Sequence, residues 1–398
     1  MATVLPFRAL RPAPGHAEDV ASVPYDVINT EEARALADSK PYSFLHVIRP
    51  EIDLPEGTDE HDDRVYEQGA EALRRFAASD VFVEESEPAF YVYRLVMDDR
   101  AQAGIFGLVT VEEYDNDTIL KHEKTRPDKE DDRTRHIVTQ RAHAEPVMLT
   151  YRGTAELNTL VQQAMQGDPL YRFTAADGVR HEIWRMPDAD AVRDAFDDVP
   201  KLYVADGHHR SAAASRAAKE LPDNDEAKGF MAVLFPYEEM MIMPYNRVIY
   251  DLPDGPKAFL ETLRERFDLN ERAPASPVKK GHVSVYIDGH WYGFALPETE
   301  RDTVADTLDV ARLGEHLLEP LLGITDPRRD PNIGFVGGIR GTKELERLVD
   351  SGKADLAISM VATSAEELLA VSDAGQLMPP KSTWFEPKLR SGLLVHQF

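Results

Sequence analysis

The sequence predicts a mixed α/β fold, and three observations support that prediction. Short runs rich in β-branched and aromatic residues alternate along the chain with longer amphipathic runs. The stretch LYVADGHHRSAAA (202–214) changes from a strand-like to a helix-like composition across one glycine. From 333 to 375, strand, helix, strand and helix patterns follow one another, which is the order typical of α/β proteins.

The first 150 residues begin with proline-containing extended runs. Thr30 is expected to cap a helix over 30–38, because acidic residues fill its first turn. The apolar run SFLHVI (43–48) predicts a strand. The further elements predicted here are an amphipathic helix over 65–80, a strand pair over 89–97 and 103–114, and a strand over 146–151.

The rest of the chain alternates in the same way. Between 151 and 253 the predicted elements are helices over 155–166 and 189–196, strands over 171–174 and 181–186, the strand and helix of the 202–214 stretch, and strands over 229–235 and 240–250. After 254 they are helices over 257–267, 308–322, 342–350 and 364–375, and strands over 282–287, 291–296, 333–338 and 356–361. The tail stretch 378–394 holds three prolines and two large aromatic residues, so we expect it to be extended and docked.

The length of 398 residues exceeds what one hydrophobic core usually organises. We expect three segments: an N-terminal α/β segment (1–150), a segment that holds the DGHHR motif (151–253) and a C-terminal α/β segment (254–398). The first residues lack the apolar run of a signal peptide, and no apolar run reaches the roughly 20 residues that span a bilayer. A soluble, cytoplasmic protein is expected.

Charge and cysteine content exclude several classes of function. The chain has no cysteine, which excludes disulfides, thiolate catalysis and thiolate-bound metals. Its formal net charge of -26 argues against nucleic acid or an anionic membrane as a partner, because those surfaces require an excess of lysine and arginine. Homo-oligomerisation is left open. In so acidic a chain, the places where basic residues cluster are informative.

The DGHHR motif (206–210) has the composition of an anion site. Gly207 permits a tight turn, and the free N–H groups of the following helix favour a phosphate. Arg210 can donate to two phosphate oxygens, and His208 and His209 add donors. Asp206 then fits as a ligand of a divalent cation on that phosphate, or as the base that takes a hydroxyl proton.

Two other interpretations of DGHHR stay open. In the first, Asp206 only caps the helix and the histidines lie on the surface. In the second, the histidine pair binds a metal. This is less favoured, because adjacent side chains diverge and the i,i+4 spacing of helical zinc sites is absent.

A second polar cluster lies at 119–141, ILKHEKTRPDKEDDRTRHIVTQR. Its start follows a strand-like run, where side chains reach a sheet edge, and Glu123 is flanked there by a histidine and two lysines. Candidate phosphate contacts in this cluster are Lys121, Lys124, Thr125, Arg133, Thr139 and Arg141, and candidate catalytic residues are His122 and Glu123 together with Asp206. The alternative is an ordinary solvated face. Neither a Walker A loop nor a dinucleotide GxGxxG motif is present.

Five segments together resemble the bacterial and archaeal proteins grouped as domain-of-unknown-function family 1015. They are PYSFLHVIRPEIDLP, KHEKT, YVADGHHR, MPYNRVI and MPPKSTWFEPKL with SGLL. They occur in this order between about Phe7 and the C-terminus. The DGHHR segment also resembles, over a few dozen residues, the phosphate-binding motif of the ParB/sulfiredoxin-like fold, which includes kinases that phosphorylate free serine.

The second resemblance implies a ParB/sulfiredoxin-like phosphate-binding core with additional N- and C-terminal α/β segments. It implies that Asp206 meets magnesium or the acceptor hydroxyl, while the four residues that follow it hold the donor phosphate. Glu123 is the candidate base because of the charged residues around it, since no motif of those kinases matches there. Arg247 and Lys381 are further candidate phosphate contacts. Where the family's P-x-HR strand is expected to have a histidine, this chain has Asn246, which bears on whether an activity of its relatives is retained.

The function expected from these features is that of a small-molecule phosphotransferase, most concretely a free L-serine kinase. It would use ATP, ADP or pyrophosphate as donor, with Mg²⁺. Its partners would be a small-molecule donor and acceptor. The alternatives are a nucleotide-sensing ParB-like regulatory protein, in which DGHHR binds nucleotide to switch an interface, and a phosphoester hydrolase that uses the same anion site.

Overall fold

The chain folds into two compact units, described by a computed structural model for all residues 1–398. Unit 1 comprises Met1–Met240 together with Pro387–Phe398, and unit 2 comprises Met241–Glu386. Both contain helices and sheets, so the predicted mixed α/β class is confirmed. The three segments expected from the sequence stay a prediction. No helix combines the length and the apolar character required to cross a membrane.

The strands are β1 (Val4–Leu5), β2 (Leu10–Pro12), β3 (Phe82–Glu84), β4 (Tyr91–Met97), β5 (Arg100–Thr110), β6 (Ile119–Leu120), β7 (Ala142–His143), β8 (Val147–Tyr151), β9 (Tyr171–Thr174), β10 (Arg180–Arg185), β11 (Leu202–Asp206), β12 (Gly229–Pro236), β13 (Met241–Met243), β14 (Tyr245–Ile249), β15 (His282–Ile287), β16 (His290–Ala295), β17 (Ile333–Gly337), β18 (Leu356–Met360), β19 (Trp384–Glu386) and β20 (His396–Gln397).

The α-helices are α1 (Ala17–Val20), α2 (Thr30–Ala37), α3 (Leu45–Ile48), α4 (Asp63–Ala77), α5 (Val111–Asp115), α6 (Pro127–Gln140), α7 (Ala155–Ala164), α8 (Ala189–Phe196), α9 (His208–Glu220), α10 (Gly255–Arg266), α11 (Asp309–Leu313), α12 (Glu319–Leu322), α13 (Gly341–Asp350) and α14 (Ala365–Asp373).

Unit 1 is built on a nine-stranded mixed sheet. Its order is β6-β11-β8-β12-β5-β4-β10-β9, and β1 pairs with β5. The pairs β6–β11 and β8–β12 are parallel, and the other neighbours are antiparallel. Strand β12 is buried along its whole length, as expected for an apolar central strand. The main core contains Val92, Ile105, Leu149, Val204 and Leu234.

The last twelve residues return to unit 1, as part of the extended, docked tail predicted from its prolines and aromatic residues. Strand β20 pairs with β7, and isolated bridges join Val395 to Leu10 and Ser391 to Ser22. The amide of Phe398 donates to the Arg141 carbonyl at 2.9 Å. Unit 1 is therefore assembled from both ends of the chain.

Unit 2 contains a five-stranded antiparallel sheet in the order β16-β15-β18-β14-β17. The strand, helix, strand and helix run predicted from 333 to 375 is confirmed as β17, α13, β18 and α14. Strands β17 and β18 do not pair with each other, because β14 lies between them and is antiparallel to both. A separate two-stranded sheet pairs β13 with β19.

Several predicted elements are wrong in type or extent. SFLHVI contains helix α3 instead of a strand; its residues Phe44, Leu45, Val47 and Ile48 are buried, and an apolar run without alternation does not distinguish the two structures. Helix α2 is capped by Asn29 instead of Thr30, because the Asn29 side chain forms a capping box.

The remaining corrections concern interruptions. Helix α5 ends the strand predicted over 103–114, since Thr110 accepts a hydrogen bond from the backbone and starts a helix. Pro244, which lacks an N–H, separates β13 from β14 within the strand predicted over 240–250. The helix predicted over 308–322 is divided by a π-helical turn, Gly314–Leu318, between α11 and α12.

Candidate functional site

Parallel pairing of β6 with β11 brings the two sequence clusters together. Ile119 lies opposite Leu202, and Leu120 lies opposite Tyr203. Because the strands are parallel, both carboxyl ends reach the same edge of the sheet. The segment 121–125 leaves one strand there, and the DGHHR segment leaves the other. The starts of the two sequence clusters therefore lie at the same edge of the unit 1 sheet.

The turn after β11 depends on glycine. Gly207 has φ 97° and ψ 32°, in the left-handed region. A Cβ at this position would lie 3.1 Å from Val147 Cγ1 and 3.2 Å from the guanidinium carbon of Arg210. The Ser211 amide donates to the Gly207 carbonyl at 2.9 Å, which starts the hydrogen bonding of α9.

The first turn of α9 has no side-chain cap and no acidic residue. Each other helix of eight or more residues in unit 1 carries an acid in its first turn. No carboxylate of this turn therefore interacts with the free N–H groups or offsets the positive end of the helix dipole. This is the electrostatic arrangement that favours an anionic ligand.

His208, the first residue of α9, faces His122 from the other segment. Their ring centroids are 4.4 Å apart and nearly perpendicular. Both side chains are buried, with 7% exposure for His208 and 1% for His122. Nε2 of His208 and both ring nitrogens of His122 make no hydrogen bond of ordinary geometry, although the backbone of Val204 interacts with His122. Burial lowers the pKa of His122 to about 4 and that of His208 well below its usual value. Both imidazoles are therefore neutral at pH 7.

Glu123 completes this group. A carboxylate oxygen of Glu123 and one ring nitrogen from each of His122 and His208 lie within 4.8 Å of one another. Glu123 is half-buried, whereas both histidines are buried. His209 is oriented differently, because its Nε2 accepts a hydrogen bond from the Arg126 amide at 3.1 Å. The two adjacent histidines thus diverge, and only His208 joins the group.

Asp206 is held between two cations. Its Oδ2 lies 3.4 Å from Lys388 Nζ and 3.6 Å from Arg210 Nη2. Although burial opposes the charged form, Lys388 and then Arg210 lower the pKa of Asp206 to about 2. The carboxylate is therefore ionised and already paired. Lys388 belongs to the C-terminal tail, so the tail reaches the DGHHR segment through this ion pair.

Arg210 is turned toward the protein interior. It is buried, and Nη1 donates a hydrogen bond to the Pro146 carbonyl. Together with the Asp206 contact, this ties the start of α9 to the residue that precedes β8. A direct phosphate contact by Arg210 stays a prediction, and it requires the guanidinium to release these partners.

Close to Arg210 lies a charged network in which the sequence analysis named Arg133 but not Tyr25 or Glu145. Arg133 Nη1 lies 3.3 Å from Glu145 Oε2, and its guanidinium carbon lies 3.9 Å from the Tyr25 ring centroid. The Tyr25 amide donates to Glu145 Oε1 at 3.3 Å. Burial opposes the charged form of Arg210, but Asp206, Asp26 and Glu145 raise its pKa, which indicates that the network lies close to Arg210. The available signal was the tyrosine and aspartate within the apolar, proline-containing run SVPYDV.

The other candidates of the second cluster point elsewhere or to solvent. Lys121 Nζ donates to the Tyr114 carbonyl at 2.7 Å and pairs with Asp117 at 2.6 Å. Thr125 donates a hydrogen bond to Glu130. The exposed candidates are Lys124, Thr139 and Arg141. Their predicted phosphate contacts, like that of the buried Arg133, remain predictions.

Arg247 and Lys381 belong to unit 2. Arg247 is buried and donates to the backbone carbonyls of Tyr245 and Lys381, the latter at 2.9 Å. Lys381 Nζ lies 5.5 Å from the ring centroid of Tyr245. Asn246 Oδ1 accepts a hydrogen bond from the Met360 amide at 3.1 Å, so this side chain fastens β14 to β18. Phosphate contacts by Arg247 and Lys381 remain predictions.

Magnesium is poorly matched to Asp206 in this arrangement. Mg²⁺ favours oxygen ligands, usually one or two carboxylates and phosphate oxygens. Oδ2 of Asp206 already faces an ammonium and a guanidinium, which a magnesium ion would have to displace. His122 and His208, on which Asp206 acts electrostatically, offer nitrogen instead of oxygen. Asp206 as a metal ligand therefore remains a prediction that this geometry does not favour.

Comparison with known proteins gives one family and several distant structural likenesses. The sequence profile of the family described as "Protein of unknown function (DUF1015)" matches residues 4–311. None of the curated proteins matches the chain. Among solved structures, C-terminally truncated SbnI from Staphylococcus aureus is similar over 73% of this chain and 87% of its own, with 14% identity and a TM-score of 0.39.

Two further structures are similar at the same level. A free serine kinase in complex with AMP covers 73% of this chain and 91% of its own, with 13% identity and a TM-score of 0.38. A conserved hypothetical protein from Pyrococcus furiosus covers 76% and 98%, with 13% identity and a TM-score of 0.37.

Proposed function

Since the chain belongs to the family described as protein of unknown function DUF1015, a description that names no activity, we propose an activity from the site itself. The protein transfers a phosphoryl group from ATP, ADP or pyrophosphate to the hydroxyl of a small acceptor, and free L-serine is the acceptor to test first. The proposal rests on one observation: Glu123 lies beside His208, the first residue of α9, and this helix start has no side-chain cap.

The donor phosphates bind at the first turn of α9. The N–H groups of His208, His209 and Arg210 precede the first α-helical hydrogen bond, which is made by Ser211. Gly207 allows the backbone to turn closely enough for a phosphate to approach these groups. In a chain of net charge -26, the absence of an acid from this helical turn supports an anion site there.

Glu123 acts as the base that accepts the proton of the acceptor hydroxyl. Its carboxylate is half-buried and lies beside His208, close to the proposed phosphate position. Phosphoryl transfer depends mainly on positioning and charge stabilisation, so a single correctly placed base suffices for the hydroxyl.

Asp206, Arg210 and Lys388 hold the turn in shape. The Asp206 carboxylate joins the tail to α9 through its two cationic partners, and Arg210 joins α9 to Pro146. In this role Arg210 is a positioning residue. Lys388 also places a positive charge beside the proposed phosphate position, which offsets the carboxylate of Asp206.

The activity is tested by incubating the protein with L-serine, Mg²⁺ and each donor in turn, and by detecting O-phosphoserine by mass spectrometry. Formation of O-phosphoserine supports the kinase. Donor binding without product, measured by calorimetry, points instead to a nucleotide-sensing protein of ParB type. Release of phosphate from O-phosphoserine, without net synthesis, points to a phosphoester hydrolase.

The variant Glu123→Gln separates catalysis from binding. Loss of the base should lower turnover by about 10²–10⁴-fold, while donor affinity changes little. Glu112→Gln is the matched control, since Glu112 is an exposed glutamate on α5 in the same unit. Equal turnover in the Glu123→Gln variant and the wild type would exclude Glu123 as the base.

A further inference from the structure

We infer that His122, Glu123 and His208 form a binding site for one divalent transition-metal ion of the Mn²⁺ to Zn²⁺ series. The inference concerns binding to the protein alone and does not rest on the proposed phosphotransfer. It also differs from the magnesium site expected at Asp206, because it uses other residues and favours another class of cation.

The geometry of the three donors is the first argument. Their ligand atoms lie within 4.8 Å of one another, although they come from two segments of the chain. Around an ion with metal–ligand distances of about 2.1 Å, tetrahedral donors lie about 3.4 Å apart. Side-chain rotations that shorten each distance between two ligand atoms by about 1.4 Å or less would therefore complete the site.

The unsatisfied imidazole nitrogens are the second, independent argument. Nε2 of His208 and both ring nitrogens of His122 are buried without a hydrogen bond of ordinary geometry, and the backbone of Val204 is a weaker partner for one His122 nitrogen. A buried polar atom without a partner costs about 1–3 kcal/mol, so several together at one point require an explanation. A cation that accepts a lone pair from each ring supplies one.

The backbone holds the three residues in place. His122 and Glu123 closely follow β6, His208 begins α9, and the pairing of β6 with β11 fixes the two segments relative to each other. His208 lies on a regular element, and His122 and Glu123 are the second and third residues after one. Ligands on or beside regular elements can be preorganised more closely than ligands on long loops. His209, which is bonded to the Arg126 amide, is not part of the set.

The donor types select the class of cation. Two imidazoles and one carboxylate suit Mn²⁺, Fe²⁺, Co²⁺ or Zn²⁺, whereas Mg²⁺ favours oxygen donors and retains several waters. Three protein ligands also leave at least one coordination position open. Glu123 has two carboxylate oxygens, so binding of a metal to one leaves the other for a hydroxyl proton.

The test is calorimetric titration of untagged, EDTA-stripped protein with Zn²⁺, Co²⁺ and Mg²⁺ in separate experiments, without nucleotide or serine. We expect one Zn²⁺ or Co²⁺ per chain and binding of Mg²⁺ at least about 100-fold weaker. His122→Asn and His208→Asn should each weaken Zn²⁺ binding at least tenfold. His290→Asn, a change of an exposed histidine in unit 2, should leave it unchanged.

Stronger binding of Mg²⁺ than of Zn²⁺, or unchanged Zn²⁺ binding in both variants at the site, overturns the inference. If the variants fail to fold by circular dichroism, crystals of the wild type soaked in Zn²⁺ decide. An anomalous peak within about 2.3 Å of the three side chains supports the site, and a peak only elsewhere, or none, refutes it. Failure of serine phosphorylation would not affect these readouts, and loss of Zn²⁺ binding would not affect an assay supplied with Mg²⁺.

Discussion

The variant Lys388→Met tests whether the C-terminal tail is held to the site by its ion pair with Asp206. The change keeps most of the aliphatic side chain and removes the ammonium, which lies 3.4 Å from Asp206 Oδ2. Arg210 then remains as the other cation, 0.2 Å more distant at 3.6 Å. We expect the free energy of unfolding of unit 1 to decrease.

The expected loss in the free energy of unfolding follows from the pKa of Asp206. Its fall from 3.8 to about 2 corresponds to about 2.5 kcal/mol in favour of the charged form, at about 1.4 kcal/mol per pH unit. Lys388 is the larger of the two favourable influences. The side chains of Asp206 and Lys388 are 29% and 14% exposed, so solvent screens part of the attraction. The expected loss is about 1–2 kcal/mol.

The assay is urea unfolding in metal-free buffer at several pH values. Because the pKa of Asp206 is depressed in the folded state, its ion pairs stabilise the protein fully above about pH 4 and lose that effect as the pH falls toward about 2. The difference between variant and wild type should therefore be constant from pH 7 to pH 5 and shrink below pH 4. Lys388→Arg should retain most of the stability.

Lys343→Met is the matched control, because Lys343 is an exposed lysine in unit 2. It should change stability by less than about 0.5 kcal/mol. A loss for Lys388→Met no larger than for this control, or a difference that persists unchanged at pH 3, would refute the role given to the ion pair.

Three further predictions concern backbone and capping. Gly207→Ala should lower the free energy of unfolding by about 2–3 kcal/mol, because the left-handed turn and the contact with Arg210 both oppose a Cβ; urea unfolding at wild-type concentrations would contradict this. Asn29→Ala removes a capping box and should cost about 1 kcal/mol in the same assay, with unchanged Zn²⁺ affinity; an unaltered midpoint would show that the cap is dispensable. Gly337→Ala would place a Cβ 2.6 Å from the Trp384 ring, so it should cost about 1–3 kcal/mol and change tryptophan fluorescence, and an unchanged spectrum and midpoint would exclude the clash.

Local patterns in the sequence predicted the elements that carry the site. The apolar run before Gly207 predicts β11, and the alanines after it predict the start of α9. Both signals lie within a stretch of about a dozen residues. The same kind of local reasoning gave a wrong prediction for SFLHVI. Its apolar residues are buried in helix α3, and a run without alternation of polar and apolar residues does not distinguish a strand from a helix.

The orientation of the side chains within the site could not be predicted from local sequence patterns. Arg210 bonds to Pro146, 64 residues away, and no pattern near residue 210 indicates that partner. Of two identical neighbours, His208 meets His122 and His209 meets the Arg126 backbone, which depends on the exact start of α9. Lys388 pairs with Asp206, which lies 182 residues earlier, and no local pattern joins the two.

The assembly of unit 1 from both chain ends has a consequence for biosynthesis. A ribosome makes the chain from its N-terminus, and domains generally fold as units as they emerge. The residues of unit 2 are complete at Glu386, whereas unit 1 still lacks β20 and Lys388 at that moment. The nascent protein therefore completes unit 2 before unit 1, which was begun first, and the turn around Asp206 acquires its second cation, Lys388, only after all of unit 2 has been made.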